Sequence, residues 1–371
     1  MEHRTLSAKA HPHVNIALNK ATIWSGGDMH KFKSLMISAL ALAALALPSH
    51  AQEKVVIGHT ATATDIGLYV ADKRGYFREE GIELQFVTFD SAARMVTSLA
   101  GGELQVVAGA ANAALYNAVA RGVDIRIVSD KVSTPPGRTS QTLLVRKDHI
   151  DSGRFKTLAD LKGMKVANSA PGTAASVTLY KMLERAGLKI SDIDQAFLPF
   201  PQHVIALANK AVDAALPAEP ATTEAVNRGY AVKVLTDDEA YPNHQIAVNF
   251  FSGRFAAQKP EVARKFIKAF IRGVRDHNDA LDAQGRFVGE KGEAIIKILN
   301  EYTPVKDPQF YRNFPLAYCH PDGQINIASL KADYDVLKAE KLIEGDVQVE
   351  KIVDLSFLNA VLKELGPYQK K

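Results

Sequence analysis

Residues 158–187, LADLKGMKVANSAPGTAASVTLYKMLERAG, leave the chain few options: a short apolar run, a small-residue turn and an amphipathic segment follow one another without a gap. Residues 164–167 suit a short buried strand, and Val177, Tyr180, Leu183 and Ala186 then recur every three residues along one helical stripe. Gly187 stands where a helix ends in the left-handed region. The turn between, Asn168 to Thr173, offers hydroxyls, a glycine and free N–H groups at the positive end of a helix dipole. Such a turn suits an anion or a polar ligand oxygen; simple N-capping by Ser169 or Thr173 is the competing reading.

The same order recurs along the chain. Residues 55–58 read as a strand, 59–65 as a Thr-rich turn, 66–74 as a helix closed by Gly75, and 82–89 as an alternating strand. A helix at 91–100, a strand at 105–109, a helix at 112–121 stopped by Gly122 and a strand at 125–128 follow. Strands spaced by helices imply right-handed parallel crossovers, with ligands collecting beyond the strands' carboxyl ends. Gly58 begins a turn and helix ending at Gly75, as Asn168 does for Gly187, and residues 99–108 line up with 207–216 at nearly the same offset. Two similar α/β units facing one cleft are therefore expected, and about 320 residues after Gln52 favour two lobes over one core.

The runs QTLLV (141–145) and QIAVNFF (245–251) bracket the second unit and are expected to be the two hinge strands. This places lobe 1 at 52–142 and 248–371 and lobe 2 at 143–247. Beyond Pro260 the chain reads as helices at 262–281, 292–301, 328–341 and 353–365, packing back on the first unit.

From Met29 the chain reads MHKFKSLMISALALAALALPSHA, with His30, Lys31 and Lys33, an apolar run and a small-x-small site. That is the pattern of a cleavable secretory signal peptide at 29–51. The apolar run is short for a membrane span, and no cysteine follows it to accept a lipid. Residues 1–28 are read as an over-long start, with a cytoplasmic extension as the alternative.

Charge excludes one class of partner. Of 45 Lys+Arg five precede Gln52, and of 41 Asp+Glu two do, leaving 40 against 39. A net of +1 provides no electrostatic footprint for nucleic acid. The single cysteine, Cys319, rules out an internal disulfide framework and is expected buried and inert.

The run Leu68-Tyr69-Val70-Ala71, then Gly75-Tyr76-Phe77-Arg78-Glu79-Glu80-Gly81-Ile82, resembles the opening signature of periplasmic substrate-binding proteins of the nitrate/sulfonate/taurine ABC transporter family, whose fold is shared by thiamin-pyrimidine synthases. LADLKGMKV (158–166) and Ala211-Val212-Asp213-Ala214-Ala215 are similar to that family's second-lobe patterns. The resemblance implies a type II two-lobed α/β binding protein, each lobe a mostly parallel sheet flanked by helices. It also implies no cofactor, a monomer in the periplasm, and delivery of a small solute to an inner-membrane ABC permease after flytrap-like closure.

Carried over by position, the resemblance makes Thr62 and Thr64, Asn112, and Ser169, Gly172 and Thr173 ligand contacts, each with a capping alternative. Arg138, at the mouth of the hinge, is the candidate fixed cation, against the alternative of a surface arginine. Glu219 occupies a ligand-side position, where a carboxylate argues against nitrate or bicarbonate unless it turns toward Arg138. Phe200 and His203 stand near the same strand end, the histidine expected as polar surface. The solute expected is a small organic anion or zwitterion of carboxylate or sulfonate type, with a thiamin-precursor pyrimidine as the alternative. The enzyme branch of the fold carries a cysteine-rich motif absent here, and the sequence has no G-x-S-x-G, no H-E-x-x-H and no histidines at metal-site spacing, so an enzyme is not expected.

Overall fold

The computed structural model describes residues 52–312 and 318–371; the expected signal peptide and residues 1–28 lie outside the described residues. The chain from Ala51 onward forms one unit. Strand β1 (Glu53–His59) turns Val55 and Ile57 into the core. It is followed by α1 (Ile66–Lys73), β2 (Ile82–Thr88), α2 (Ala92–Gly101), β3 (Val106–Gly109), α3 (Ala113–Ala120) and β4 (Ile125–Thr134). The second series comprises β5 (Thr142–Arg146), β6 (Lys165–Asn168), α4 (Ala174–Glu184), β7 (Asp194–Phe197), α5 (Phe200–Ala208), β8 (Ala214–Ala215), α6 (Ala221–Asn227) and β9 (Ala231–Thr236). Then come β10 (His244–Ser252), α7 (Pro260–Asp279), α8 (Gly289–Tyr302), α9 (Ile327–Ala339) and α10 (Ser356–Leu365).

Two five-stranded sheets result, in the orders β2-β1-β3-β10-β4 and β7-β6-β8-β5-β9. In the first, β1 is parallel to β2 and β3, and β10 is antiparallel to β3 and β4. In the second, β6 is parallel to β7 and β8, and β5 is antiparallel to β8 and β9. The molecule is thus a two-lobed α/β protein with mostly parallel sheets of identical order. Each reversed strand has crossed from the other sheet without a crossover helix, so it enters from the opposite end.

The crossings differ from expectation. The runs 141–145 and 245–251 contribute to the inner strands β5 and β10, while the chain passes between sheets at 135–141 and 237–243. Pro135 and Pro136 offer no N–H to a ladder, which ends β4 before the crossing. The buried carboxylate of Asp237 ties the two passages together. It accepts the Thr139 hydroxyl at 2.5 Å, the Ser140 hydroxyl at 2.8 Å and the Gln141 N–H at 2.9 Å.

Helix α4 also departs from its expected stripe. Leu179, Met182 and Leu183 enter the second-lobe core, Val177 packs with Tyr116, Leu337 and other first-lobe residues, and Tyr180 is half-buried. Burial is not one stripe because both lobes cover this helix. At the seam, His244 Nδ1 lies 3.2 Å from the Thr178 hydroxyl of α4 and its Nε2 lies 2.6 Å from Asp333 of α9.

The C-terminal helices return to the first lobe, where α7 buries Phe266, Ile267, Phe270 and Val274. Among the described residues no helix is long and apolar enough to cross a membrane. Cys319 is buried, and that burial pushes its thiol up to about 12, which leaves it protonated.

Candidate ligand-binding cleft

The turn after β1 bends sharply at Ala61, which has a φ of 54°, and brings three threonines into a row. The Thr60 and Thr62 hydroxyls are 3.5 Å apart, and those of Thr62 and Thr64 are 2.6 Å apart. Lys131, projecting from β4 and only 2% exposed, donates to the Thr64 hydroxyl at 3.3 Å and pairs with Asp65 at 2.6 Å. Asp65 also accepts the Thr62 N–H and the Tyr69 hydroxyl. Burial pulls its pKa up, but the Lys131 ammonium and the His59 ring together outweigh that and hold the carboxyl well below the usual range.

Facing this row is the turn between β6 and α4. Thr173 is the N-cap of α4, accepting the Ser176 N–H at 3.4 Å and donating to the Ala170 carbonyl at 3.2 Å. The Ser169 and Thr173 hydroxyls are 3.4 Å apart. Between the turns lies a cleft of about 530 Å³, the open solvent at its mouth included. Its polar lining combines Thr60, Thr62, Thr64, Ser91 and Lys131 of the first lobe with Ser140 and Gln141 of the crossing and Ser169 and Thr173 of the second lobe. Alanines, Ile246 and Phe200 form the apolar wall.

Thr62, Thr64, Ser169 and Thr173 therefore meet at one cavity. The other four candidates are not among its lining residues. Asn112 is fully buried and spends its side chain on α3, accepting the Leu115 N–H at 3.0 Å and donating to the Ala110 carbonyl at 2.8 Å. Gly172 points its carbonyl at the first lobe, where it accepts the Ala113 N–H. The Glu219 carboxylate accepts the N–H and the hydroxyl of Thr223, at 3.0 and 2.9 Å, and burial pushes its pKa up to about 7. That carboxylate is turned into α6. Arg138 lies with its guanidinium 5.6 Å from the Tyr318 ring centre and against Gly285, and burial lowers its pKa.

His203 is buried rather than surface-exposed. Its Nε2–H donates to the Leu198 carbonyl at 3.0 Å, and burial holds it neutral with a pKa of about 4. Lys131 and Ser91 were not apparent as site residues from sequence. The mixed polar and apolar sequence of β4, IRIVSDKVST, gave no signal that singled out Lys131; its burial is set by the fold.

Known proteins share this architecture. A protein assigned to thiamine biosynthesis in Haemophilus influenzae is 28% identical over 152 residues, 40% of this chain and 45% of that protein. A protein assigned to aliphatic sulfonate binding in Escherichia coli is 27% identical over 264 residues, 71% of this chain and 75% of that one. The match to the first thus spans less than half of that relative's length. The alkanesulfonate-binding protein of Xanthomonas axonopodis, solved with MOPS, superposes with a TM-score of 0.64 at 20% identity, covering 82% of this chain and 99% of that chain. The periplasmic nitrate-binding protein of Synechocystis gives 0.70 at 13% identity, covering 85% and 89%. These two share the fold. A profile of the NMT1-like family matches residues 49–284, well over half of the sequence, and the chain belongs to that family.

Proposed function

We propose that this protein is the exported solute-binding component of an ABC importer, clamping a small organic anion or zwitterion of carboxylate or sulfonate type between its lobes. The observation that carries this reading is the hydroxyl-lined cleft walled by both lobes, with the Lys131 ammonium at one end. Thr62, Thr64, Ser169 and Thr173 contact the solute, while Asn112, Gly172 and Glu219 hold the turns that frame it. The lobes divide where the chain passes between the sheets, at 135–141 and 237–243, with residues 29–51 as the export signal and the periplasm as the working compartment. Solute contacts made to both lobes exist only in the closed form, so binding shifts the population toward closure. The closed monomer then docks on an inner-membrane permease. Relatives named for sulfonate and nitrate binding support this reading over catalysis.

The test is a thermal-shift screen of the mature chain against organic acids, sulfonates and pyrimidines, because a bound solute raises the melting temperature with occupancy. An acid or sulfonate held at micromolar strength, about 8 kcal/mol, is expected. A shift confined to pyrimidines would replace the anion reading, and no shift with any compound would overturn the proposal.

A further inference from the structure

Behind the Lys131 ammonium runs a buried chain of three ionisable groups that leads away from the cleft. Lys131 pairs with one oxygen of Asp65 at 2.6 Å, and the other oxygen lies 3.5 Å from Nδ1 of His59, the last residue of β1. All three side chains are at most 6% exposed, so solvent screens one from another only weakly. Lys131 lines the cavity, whereas His59 and Asp65 are not among its lining residues.

The His59 ring is placed to gain a proton without rearrangement. Its Nδ1 is 3.3 Å from the Tyr69 hydroxyl, which itself donates to Asp65, so both groups offer that nitrogen an acceptor. Its Nε2 is 3.2 Å from the Thr88 hydroxyl, which donates to a neutral ring and accepts from a charged one by turning about its own bond. Thr88 is exposed on the edge strand β2, where a proton can arrive from water.

The groups around the ring are otherwise uncharged. Phe86 packs on it from β2, Tyr302 of α8 stacks on Tyr69, and burial raises the pKa of both tyrosines. With His59 neutral, the Asp65 carboxylate and the Lys131 ammonium cancel; with His59 protonated, the trio carries one positive charge. Asp130, beside Lys131 on β4, is a further buried carboxyl, held by the Gln245 side chain and the His320 N–H, and burial pushes its pKa up to about 7. Its titration has to be separated from that of His59.

We propose that His59 is a positioning residue acting through Asp65 on Lys131: it sets the charge that the cleft presents, so that an anionic solute binds more tightly when the ring is protonated and its binding draws a proton onto the ring. This deepens the solute-binding reading above and rests on it. Histidine is the side chain that ordinarily changes charge between about pH 5 and 8, so affinity rises as pH falls through that range.

Calorimetric titration of the full mature chain with ethanesulfonate and propionate, both ionised from about pH 6 to 8.5, tests it. Two buffers of different ionisation heat count the protons taken up. At least one anion is expected to bind about tenfold more tightly at pH 6 than at pH 8.5, with uptake of up to about one proton per solute. His59→Gln, which keeps a polar group near Thr88 but no titratable ring, should flatten the profile and abolish uptake, whereas Asp130→Asn should retain both. The wild-type chain decides the matter even where a variant fails to fold: by reciprocity, the ring nitrogen resonances of His59 should show its protonated fraction rising when the anion is added at pH 7. A flat wild-type profile, uptake that survives His59→Gln, uptake lost in Asp130→Asn, or a ring whose protonation ignores the anion would overturn the role of His59 while solute binding itself stood. Binding of neither anion at any pH would also overturn it, and a chain that binds no compound of the wider screen would fail both readings.

Discussion

The carbonyl oxygen of Gly172, in the second lobe, accepts a 2.8 Å hydrogen bond from the N–H of Ala113, the first residue of α3 in the first lobe. A second bond of the same kind runs from the Ala63 N–H to the Glu219 carbonyl at 3.2 Å. Two backbone contacts thus register the lobes on each other, and each satisfies an N–H that begins a helix and would otherwise be orphaned. Gly172 and Glu219 therefore serve the cleft by joining its walls.

Gly172 has a φ of 65°, and a Cβ there would lie 2.7 Å from that of Ala113. Gly172→Val should strain the turn by about 1–3 kcal/mol and hold the lobes apart. Expected are weaker solute binding, read by calorimetry, and a larger radius of gyration in solution scattering with solute present. A variant that closes and binds like wild type would show that this contact does not limit closure.

Glu219 and Asp130 are both buried, and desolvation pushes each up to about 7. A carboxyl raised in the folded state binds protons more tightly there than when unfolded. Its stabilisation is therefore complete below the unfolded pKa and is lost as pH rises through about 7. Glu219→Gln should remove its share of that loss, on the order of 3 kcal/mol, so that denaturant titrations at pH 5 and pH 8 differ less than in wild type.

His277 on α7 is fully buried, neither ring nitrogen has a hydrogen-bond partner among the described residues, and burial lowers its pKa to about 3. Its Phe287 neighbour packs edge-on, and Arg138 adds a like charge against protonation. The unfolded chain binds the proton better, so stability is complete above the ordinary histidine range and falls with pH from about 6.5 toward 3. His277→Leu is expected to raise the melting temperature at pH 5 more than at pH 8; equal shifts would locate the acid sensitivity elsewhere.

Gly273 of α7 crosses α1 closely enough that a Cβ would meet the Gly67 carbonyl and come within 2.7 Å of the Ala71 N–H. Gly273→Ala should force the helices apart and cost about 1–3 kcal/mol, measured by urea unfolding, despite alanine's better helix propensity. A neutral or stabilising result would mean that the crossing relaxes freely.

Alternating strand and helix, the glycines that end helices and the hydroxyl-rich turns after β1 and β6 were readable along the chain, because period, φ preference and capping are local properties. That reading brought Thr62, Thr64, Ser169 and Thr173 to one cleft. It could not distinguish Asn112 from Ser91, since both are sound N-caps by residue type. Only the fold decides that Asn112 spends its side chain on α3 while Ser91 lines the cleft. Choosing between Arg138 and Lys131 likewise required the position of Asp65, 66 residues before Lys131 in sequence, because a buried cation is stable only beside a counter-charge that folding delivers. The sequence by itself determined two lobes and their turns; the packing of one lobe on the other determined which polar groups remain free to bind, since a donor is available only where no distant segment has already accepted from it.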